Sequence, residues 1–132
     1  MKKLLTFGVF DYFHYGHLKF FEHAKEHGDY LIVAMQDGDY IKKFKPEANV
    51  LYSTQQRYEM LSALKIVDEV VIYQSVADDI KKIDFDILVL GEDHIGPRFD
   101  AMTEYCRETG REVVRLKRTP GISSTDIKAN LE

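Results

Sequence analysis

Five short runs rich in valine, isoleucine and leucine recur along this chain of 132 residues, and longer amphipathic stretches separate them. The runs are Lys3–Gly8, Tyr30–Gln36, Glu69–Tyr73, Ile87–Gly91 and Glu112–Leu116. Their apolar residues are continuous rather than alternating, which is typical of strands covered on both faces. The pattern therefore predicts five strands of a mainly parallel sheet.

The stretches between these runs carry the start and stop signals of helices. The predicted helices span residues 17–27, 53–64, 76–83, 98–109 and 123–131. Ser53 and Gln56 fit a capping box at the start of the second helix, and Gly28 and Gly110 follow the first and the fourth. With the five strands, these helices predict a doubly wound α/β domain with right-handed crossovers. The stretch 42–52 is instead predicted to be a long loop.

Length and composition limit the chain to one globular domain spanning 1–132. Hydrophobic residues make up 45% and charged residues 30%, which are ordinary values, and the net charge of −4 argues against nucleic acid as the main partner. The apolar part of the amino terminus is too short for a signal peptide, and no segment is long enough to cross a bilayer. The single cysteine, Cys106, cannot form an internal disulfide and gives no support for an oxidising compartment. From these observations together, we expect a cytoplasmic protein that does not bind membranes.

Two histidines, His14 and His17, lie at the junction between the first predicted strand and the first predicted helix. Open α/β sheets bind ligands at such junctions, and a helix amino terminus offers N–H groups to a phosphate. Imidazolium groups can also donate hydrogen bonds to phosphoryl oxygens. Gly16 between the histidines, and Gly8 at the strand end, would let a phosphate approach the backbone. The structural alternative is that one histidine caps the helix and the other packs against it.

Two segments carry a family resemblance. Residues 8–17 read G-V-F-D-Y-F-H-Y-G-H, and residues 118–125 read R-T-P-G-I-S-S-T. The first resembles the H-x-G-H signature of the nucleotidyltransferase superfamily, and the second resembles the R-T-x-G-I-S-T-T segment of its cytidylyltransferases. The resemblance covers nearly all of the chain. It is strongest to members that act on glycerol 3-phosphate.

The resemblance implies a Rossmann-like domain that transfers CMP from CTP to a small phosphorylated alcohol, releasing pyrophosphate. It also implies Mg²⁺ bound with the triphosphate, a homodimer, and a place in building the polyol-phosphate polymers of a bacterial envelope. The implied catalytic residues are His14, His17, Lys45 and Arg118. The implied nucleotide-binding residues are Gly8, Val9, Phe10, Asp11, Gly16, Gly91, Asp93, Arg118, Thr119, Gly121, Ile122, Ser123, Ser124 and Thr125.

The segment 118–125 also fits phosphate binding on physical grounds. Gly121 permits a tight approach into the last predicted helix, whose free N–H groups and neighbouring hydroxyls would form an anion cradle. Arg118 adds a fixed cation. A simple capped helix is the alternative, and it is compatible with phosphate binding. At Asp11 the choice between a place beside the nucleotide and an Asx turn stays open.

The implied acceptor-binding residues are Lys43, Lys45, Arg57 and His94. The lysines have the right charge for a phosphate, although a solvated charge cluster is the alternative. The fork of Arg57 suits bidentate contact with a phosphate, and a structural partner such as Asp68 is the alternative. Asp93 and His94 do not suggest a metal site, because no further ligands are evident.

Two positions depart from the enzymes that act on glycerol phosphate. Val9 stands where they often have threonine, and His94 stands where they have tryptophan. Phosphocholine and phosphoethanolamine therefore remain alternative acceptors, as does adenylate transfer to a sugar or flavin phosphate. A nucleotide-binding module without activity is the non-enzymatic alternative. The intact His14, His17 and Arg118 argue against it.

Overall fold

The computed structural model describes residues 1–11, 13–44, 47, 50–92 and 94–117. These residues form five parallel strands in the order β3-β2-β1-β4-β5. Their bounds are the predicted ones: β1 Lys3–Gly8, β2 Tyr30–Gln36, β3 Glu69–Tyr73, β4 Ile87–Gly91 and β5 Glu112–Leu116. The described helices are α1 Tyr15–Lys25, α2 Gly38–Phe44, α3 Thr54–Ser62, α4 Val76–Asp79, which a 3₁₀ turn Ile80–Lys82 continues, and α5 Pro97–Thr109.

The sheet is covered on both faces, as the continuous apolar runs predicted. Leu4 of β1 packs in a core with Phe21 of α1 and Leu61 of α3. Its neighbour Leu5 packs on the other face in a core that contains Met102 of α5. Successive side chains of a strand point to opposite faces, so two cores require apolar residues at every position. The doubly wound α/β prediction is confirmed.

The strand order places a crevice between β1 and β4. The chain runs from β1 outward to β2 and β3, then returns to the other side of β1 with β4 and β5. Ligands of open α/β sheets bind at such a reversal, outside the carboxyl ends of the strands. The segments that follow β1 and β4 therefore flank the expected ligand site, and they contain His14, His17 and His94.

The predicted loop 42–52 is wrong at its start, because Lys42 and Lys43 lie on α2. The start of this short helix is fixed by local bonds to Asp37 and by one long-range bond, from the Gly38 backbone N–H to the Thr54 hydroxyl at 2.9 Å. The backbone N–H groups of Asp39 and Ile41 donate to the carboxylate and the carbonyl of Asp37, and the Ile41 side chain is buried. Of the α2 side chains that the structure describes, only that of Ile41 is buried, and so weak a pattern does not predict a helix.

The other helix predictions differ mainly at their ends. The first helix begins at Tyr15, because His14 is its N-cap, and it ends at Lys25, where Glu26 is the C-cap. The capping box of Ser53 and Gln56 is present, as predicted. The predicted helix 123–131 lies outside the described residues. Within the part of the chain that the structure describes, no helix is long and apolar enough to span a bilayer.

Candidate active site

The two histidines form a capping box with each other at the start of α1. His14 is the N-cap, and its Nδ1 accepts the Gly16 backbone N–H at 3.0 Å. The Nδ1 of His17 accepts the His14 backbone N–H at 3.2 Å. The two rings stack with centroids 4.0 Å apart. Because both Nδ1 atoms accept, the proton of each neutral ring lies on Nε2, which leaves an N–H donor at the far side of each ring.

Burial keeps His17 neutral at physiological pH. Its pKa is lowered from 6.5 to about 4, first by burial and then by the nearby His14 and His94. In the protein without substrate, His17 is therefore a neutral donor rather than an imidazolium. A neutral Nε2–H still donates hydrogen bonds to phosphoryl oxygens, and its position is fixed by the capping contact.

Aromatic rings hold His17 from two sides. Phe13 stacks on it with centroids 5.4 Å apart, and Phe10 meets it edge-on at 5.7 Å. Both phenylalanines also contact Phe21 of α1. Sequence reasoning missed Phe13. The only signal for it was an apolar residue directly before the histidine motif.

Gly8 lies against the ring of Phe10. A Cβ on Gly8 would lie 2.7 Å from the ring of Phe10, so the glycine makes room for that ring. Phe10 itself has φ 56°, in the left-handed region that residues with large side chains seldom adopt. The turn after β1 is therefore built around the Phe10 ring.

Asp11 fixes a part of the chain forty residues away. Its carboxylate accepts the backbone N–H groups of Leu51 at 2.5 Å and Tyr52 at 2.9 Å. The interpretation as an Asx turn within its own loop is therefore wrong. Asp11 instead ties the segment before α3 to the turn that carries the histidines.

Arg57 lies beneath this turn rather than on its surface. The side chain is buried, with 1% exposure, and its Nη1 donates to the carbonyls of Val9 at 2.9 Å and Gln36 at 2.8 Å. Its Nε donates to the carbonyl of Tyr52 at 3.3 Å. Burial lowers the pKa of the guanidinium, and the charges of Asp11 and Asp37 oppose that shift.

These contacts differ from both interpretations of Arg57. A bidentate acceptor contact does not fit a buried fork whose Nε and Nη1 already donate to carbonyls. The suggested partner Asp68 is also wrong, because its carboxylate accepts from Lys25 at 2.5 Å. Arg57 instead joins the ends of β1 and β2 to the segment before α3.

His94 lies on the other side of the crevice. Its Nδ1 accepts the Gly91 backbone N–H at 3.0 Å, and Arg115 donates to the carbonyls of both residues. The ring stacks on Phe99 with centroids 4.9 Å apart and an interplanar angle of 5°. Phe20 of α1 meets it edge-on at 6.1 Å. The expected acceptor residue is thus held rigidly beside the histidine pair.

A cavity of about 240 Å³ opens beyond the carboxyl ends of β2 and β3. Its lining residues are Gln36, Tyr40, Tyr73, Gln74, Ser75, Val76, Ala77, Arg98 and Ala101. Burial raises the pKa of the Tyr73 phenol to about 12, and the charge of Arg98 opposes the shift. We call this space the β3 cavity. Gln36 on its wall lies close to Val9, in the turn that carries the histidines, because Nη1 of Arg57 donates to the carbonyls of both residues.

Several predicted site residues lie outside the described residues. They are Lys45, Asp93, Arg118, Thr119, Gly121, Ile122, Ser123, Ser124 and Thr125. Of the others, Lys43 is exposed in the last turn of α2, and the backbone N–H of Gly16 donates to the N-cap His14 at the start of α1. The structure therefore brings together His14, His17 and His94, and it places Lys43 on α2.

Comparisons with known proteins identify the family of this chain. The family model described as cytidylyltransferase-like matches residues 5–130. The glycerol-3-phosphate cytidylyltransferase of Bacillus spizizenii is 40% identical over 99% of this chain and 98% of its own length. That of Staphylococcus aureus is 39% identical over 99% and 96%. A lipopolysaccharide core biosynthesis protein from Thermoplasma volcanium shares the fold, with a TM-score of 0.70 and 23% identity over 90% of this chain and 97% of that one. The chain therefore belongs to the cytidylyltransferase-like family.

Proposed function

We propose that this protein transfers CMP from CTP to glycerol 3-phosphate, forming CDP-glycerol and pyrophosphate. The observation that carries the proposal is the histidine capping box, which fixes both imidazole rings at a helix start beside the strand-order reversal. The relatives named as glycerol-3-phosphate cytidylyltransferases are similar over the full length of the chain, which supports the same reaction here.

The chemistry needs positioning more than proton transfer. An oxygen of the acceptor phosphate attacks the α-phosphorus of CTP, and the bond to the departing pyrophosphate breaks. The acceptor phosphate is already anionic at neutral pH, so no general base is required. His14 and His17 donate hydrogen bonds to the transferring group as charge develops on its oxygens. The positive end of α1 favours the same charge.

The remaining nucleotide contacts follow from the resemblance. Arg118 and the hydroxyl-bearing segment 119–125 hold the β- and γ-phosphates in this proposal, and Lys45 binds the acceptor phosphate with Lys43 as its alternative. In this proposal Gly91, at the end of β4, and Asp93 contact the nucleotide. Arg57 is not assigned to the acceptor, because its contacts are made to backbone carbonyls.

Mg²⁺ would bind together with the triphosphate of CTP, as the resemblance implies, and we assign no protein side chain to hold it. Both carboxylate oxygens of Asp11 accept backbone N–H groups. Among the residues of the described ranges, no three histidine, cysteine or acidic side chains come together as metal ligands. When bound, Mg²⁺ neutralises part of the triphosphate charge.

The β3 cavity fits the alcohol end of the acceptor. Its volume of about 240 Å³ and the amides of Gln36 and Gln74 suit a small polyol. Arg98 on its wall is a cation, which disfavours an acceptor that carries an ammonium group. This charge favours glycerol 3-phosphate over phosphocholine and phosphoethanolamine.

The test is pyrophosphate release from a matrix of substrates with Mg²⁺. CTP and ATP are each paired with glycerol 3-phosphate, phosphocholine, phosphoethanolamine and sugar 1-phosphates. Release with CTP and glycerol 3-phosphate alone is expected. Release with another acceptor would contradict the assignment of glycerol 3-phosphate, and release with ATP would contradict the assignment of CTP. If no pair reacts, calorimetry with CTP distinguishes a nucleotide-binding module from a protein that does not bind nucleotides.

Two further properties stay predictions. The resemblance implies a homodimer, which light scattering coupled to gel filtration measures directly. The sequence also predicts a cytoplasmic location, which fractionation of the source cells tests.

A further inference from the structure

We propose that Arg57 is a positioning residue, which holds the Val9–Phe10 peptide so that the Phe10 ring supports His17. The inference rests on the proposed function for the role of His17 in the reaction. The link itself is a property of the protein without substrate. It replaces the acceptor contact that the sequence suggested for Arg57.

The first part of the link is the contact of Arg57 with the turn. One nitrogen, Nη1, donates to the carbonyls of both Val9 and Gln36, which follow β1 and end β2. The guanidinium is buried, and Nη2 makes a longer contact of 3.4 Å to the Thr54 hydroxyl. A planar fork can serve carbonyls from three segments at once, whereas a lysine ammonium is a single point of donation.

The second part is the strained backbone of Phe10. At φ 56° this residue has a conformation that a large side chain adopts only when its surroundings compensate. The Arg57 bond to the carbonyl of Val9 fixes the peptide directly before it. The absence of a side chain on Gly8 leaves space for the ring, because a Cβ there would lie 2.7–3.1 Å from three ring atoms.

The third part is the contact of Phe10 with His17. The Phe10 ring lies edge-on to the imidazole and also packs on Phe21, so it fills one side of the histidine. Phe13 covers another side. If Phe10 relaxes from the left-handed region, its ring leaves this place and the imidazole gains contact with water. Arg57 therefore acts on the Nε2–H of His17 through Phe10.

The experiment compares two variants that break the link at opposite ends. Arg57→Lys keeps the positive charge but loses the fork, and Gly8→Ala leaves Arg57 intact but displaces the Phe10 ring. Arg107→Lys is the matched control, because Arg107 is an exposed arginine paired with Glu104 on α5. Thermal unfolding first establishes that each variant is folded.

The main readout is the NMR titration of the His17 imidazole in the protein without substrate. The pKa of His17 is lowered by burial of the ring and by two charged neighbours. These neighbours are His14, from the same turn, and His94, from the segment after β4. We expect Arg57→Lys and Gly8→Ala each to raise the pKa of His17 from about 4 by about one unit, because the ring becomes more hydrated. Arg107→Lys should leave it unchanged.

The kinetic readout separates positioning from acceptor binding. We expect kcat to fall roughly tenfold or more in both variants, with the acceptor KM changed by less than about twofold. A folded Arg57→Lys protein with an unchanged His17 titration would overturn the proposal, whatever its kinetics. If Arg57→Lys does not fold, Gly8→Ala decides, and an unshifted His17 there refutes the link. Because the titration needs no turnover, a failure of the proposed reaction remains distinguishable from a failure of this inference.

Discussion

The low pKa of His17 predicts that this histidine destabilises the fold in acid, and the effect can be isolated with one substitution. The folded protein holds the pKa at about 4, whereas the unfolded chain has the ordinary value of 6.5. Between these values the unfolded state binds the proton and the folded state does not, so the free energy of unfolding falls as the pH falls. No penalty remains well above pH 6.5, and the full penalty is reached below about pH 4. A shift of about 2.5 units corresponds to about 3 kcal/mol.

The assay is urea unfolding at pH 7 and at pH 4.5 for the wild type and for His17→Gln. Most of the penalty, about 2 kcal/mol, is expected between these two pH values in the wild type. Carboxylates titrate in both proteins, so the difference between the two pH dependences isolates His17. His27→Gln is the control, because His27 is exposed. If wild type and His17→Gln lose the same free energy of unfolding on acidification, then the burial argument for a neutral His17 is wrong.

Four further outcomes are expected. His17→Ala should lower kcat by roughly two or more orders of magnitude while the protein stays folded by circular dichroism, and near-normal turnover would refute the catalytic assignment. Lys45→Ala should raise KM for a phosphate-bearing substrate more than it changes the unfolding midpoint; unchanged kinetics would move the role to Lys43 or to no lysine. Arg98→Gln should raise KM for glycerol 3-phosphate and narrow the preference against phosphocholine in competition assays, and an unaltered preference would remove Arg98 from the acceptor site. Asp11→Asn should lower the free energy of unfolding by about 1–2 kcal/mol in urea, because charged acceptors of backbone N–H groups become neutral; equal stability would show that the clamp is weak.

The sheet could be predicted from the sequence because its pattern is local. The central strands β1, β2 and β4 are buried on both faces, so every position of β2 between Tyr30 and Gln36 is apolar. This run therefore has no polar alternation that could be confused with an exposed strand. The start of α3 was equally local, since Ser53 and Gln56 satisfy each other within one turn. Contacts within one turn can be predicted because both partners are close together in the sequence.

Contacts between distant segments could not be predicted in the same way. Asp11 bonds to residues 40 and 41 positions later, and Arg57 bonds to carbonyls 21 and 48 positions earlier. Backbone carbonyls are present at every position, so no residue type marks the ones that an arginine will find. The family motif placed Arg57 near the site, but only the fold distinguishes a residue that faces a substrate from one that supports the turn beneath it.

The histidine capping box ties the fold and the chemistry to one protonation state. The Nδ1 of His17 accepts the backbone N–H of His14, and it can do so only while it carries no proton. A proton on that nitrogen would place two N–H groups face to face and would release the start of α1. The same neutral state keeps the remaining ring proton on Nε2, where it can donate to a phosphate. Since the acceptor phosphate supplies its own negative charge, the reaction does not ask either histidine to gain or lose a proton. The histidines of the capping box can therefore act as hydrogen-bond donors in the neutral state that also stabilises the start of α1.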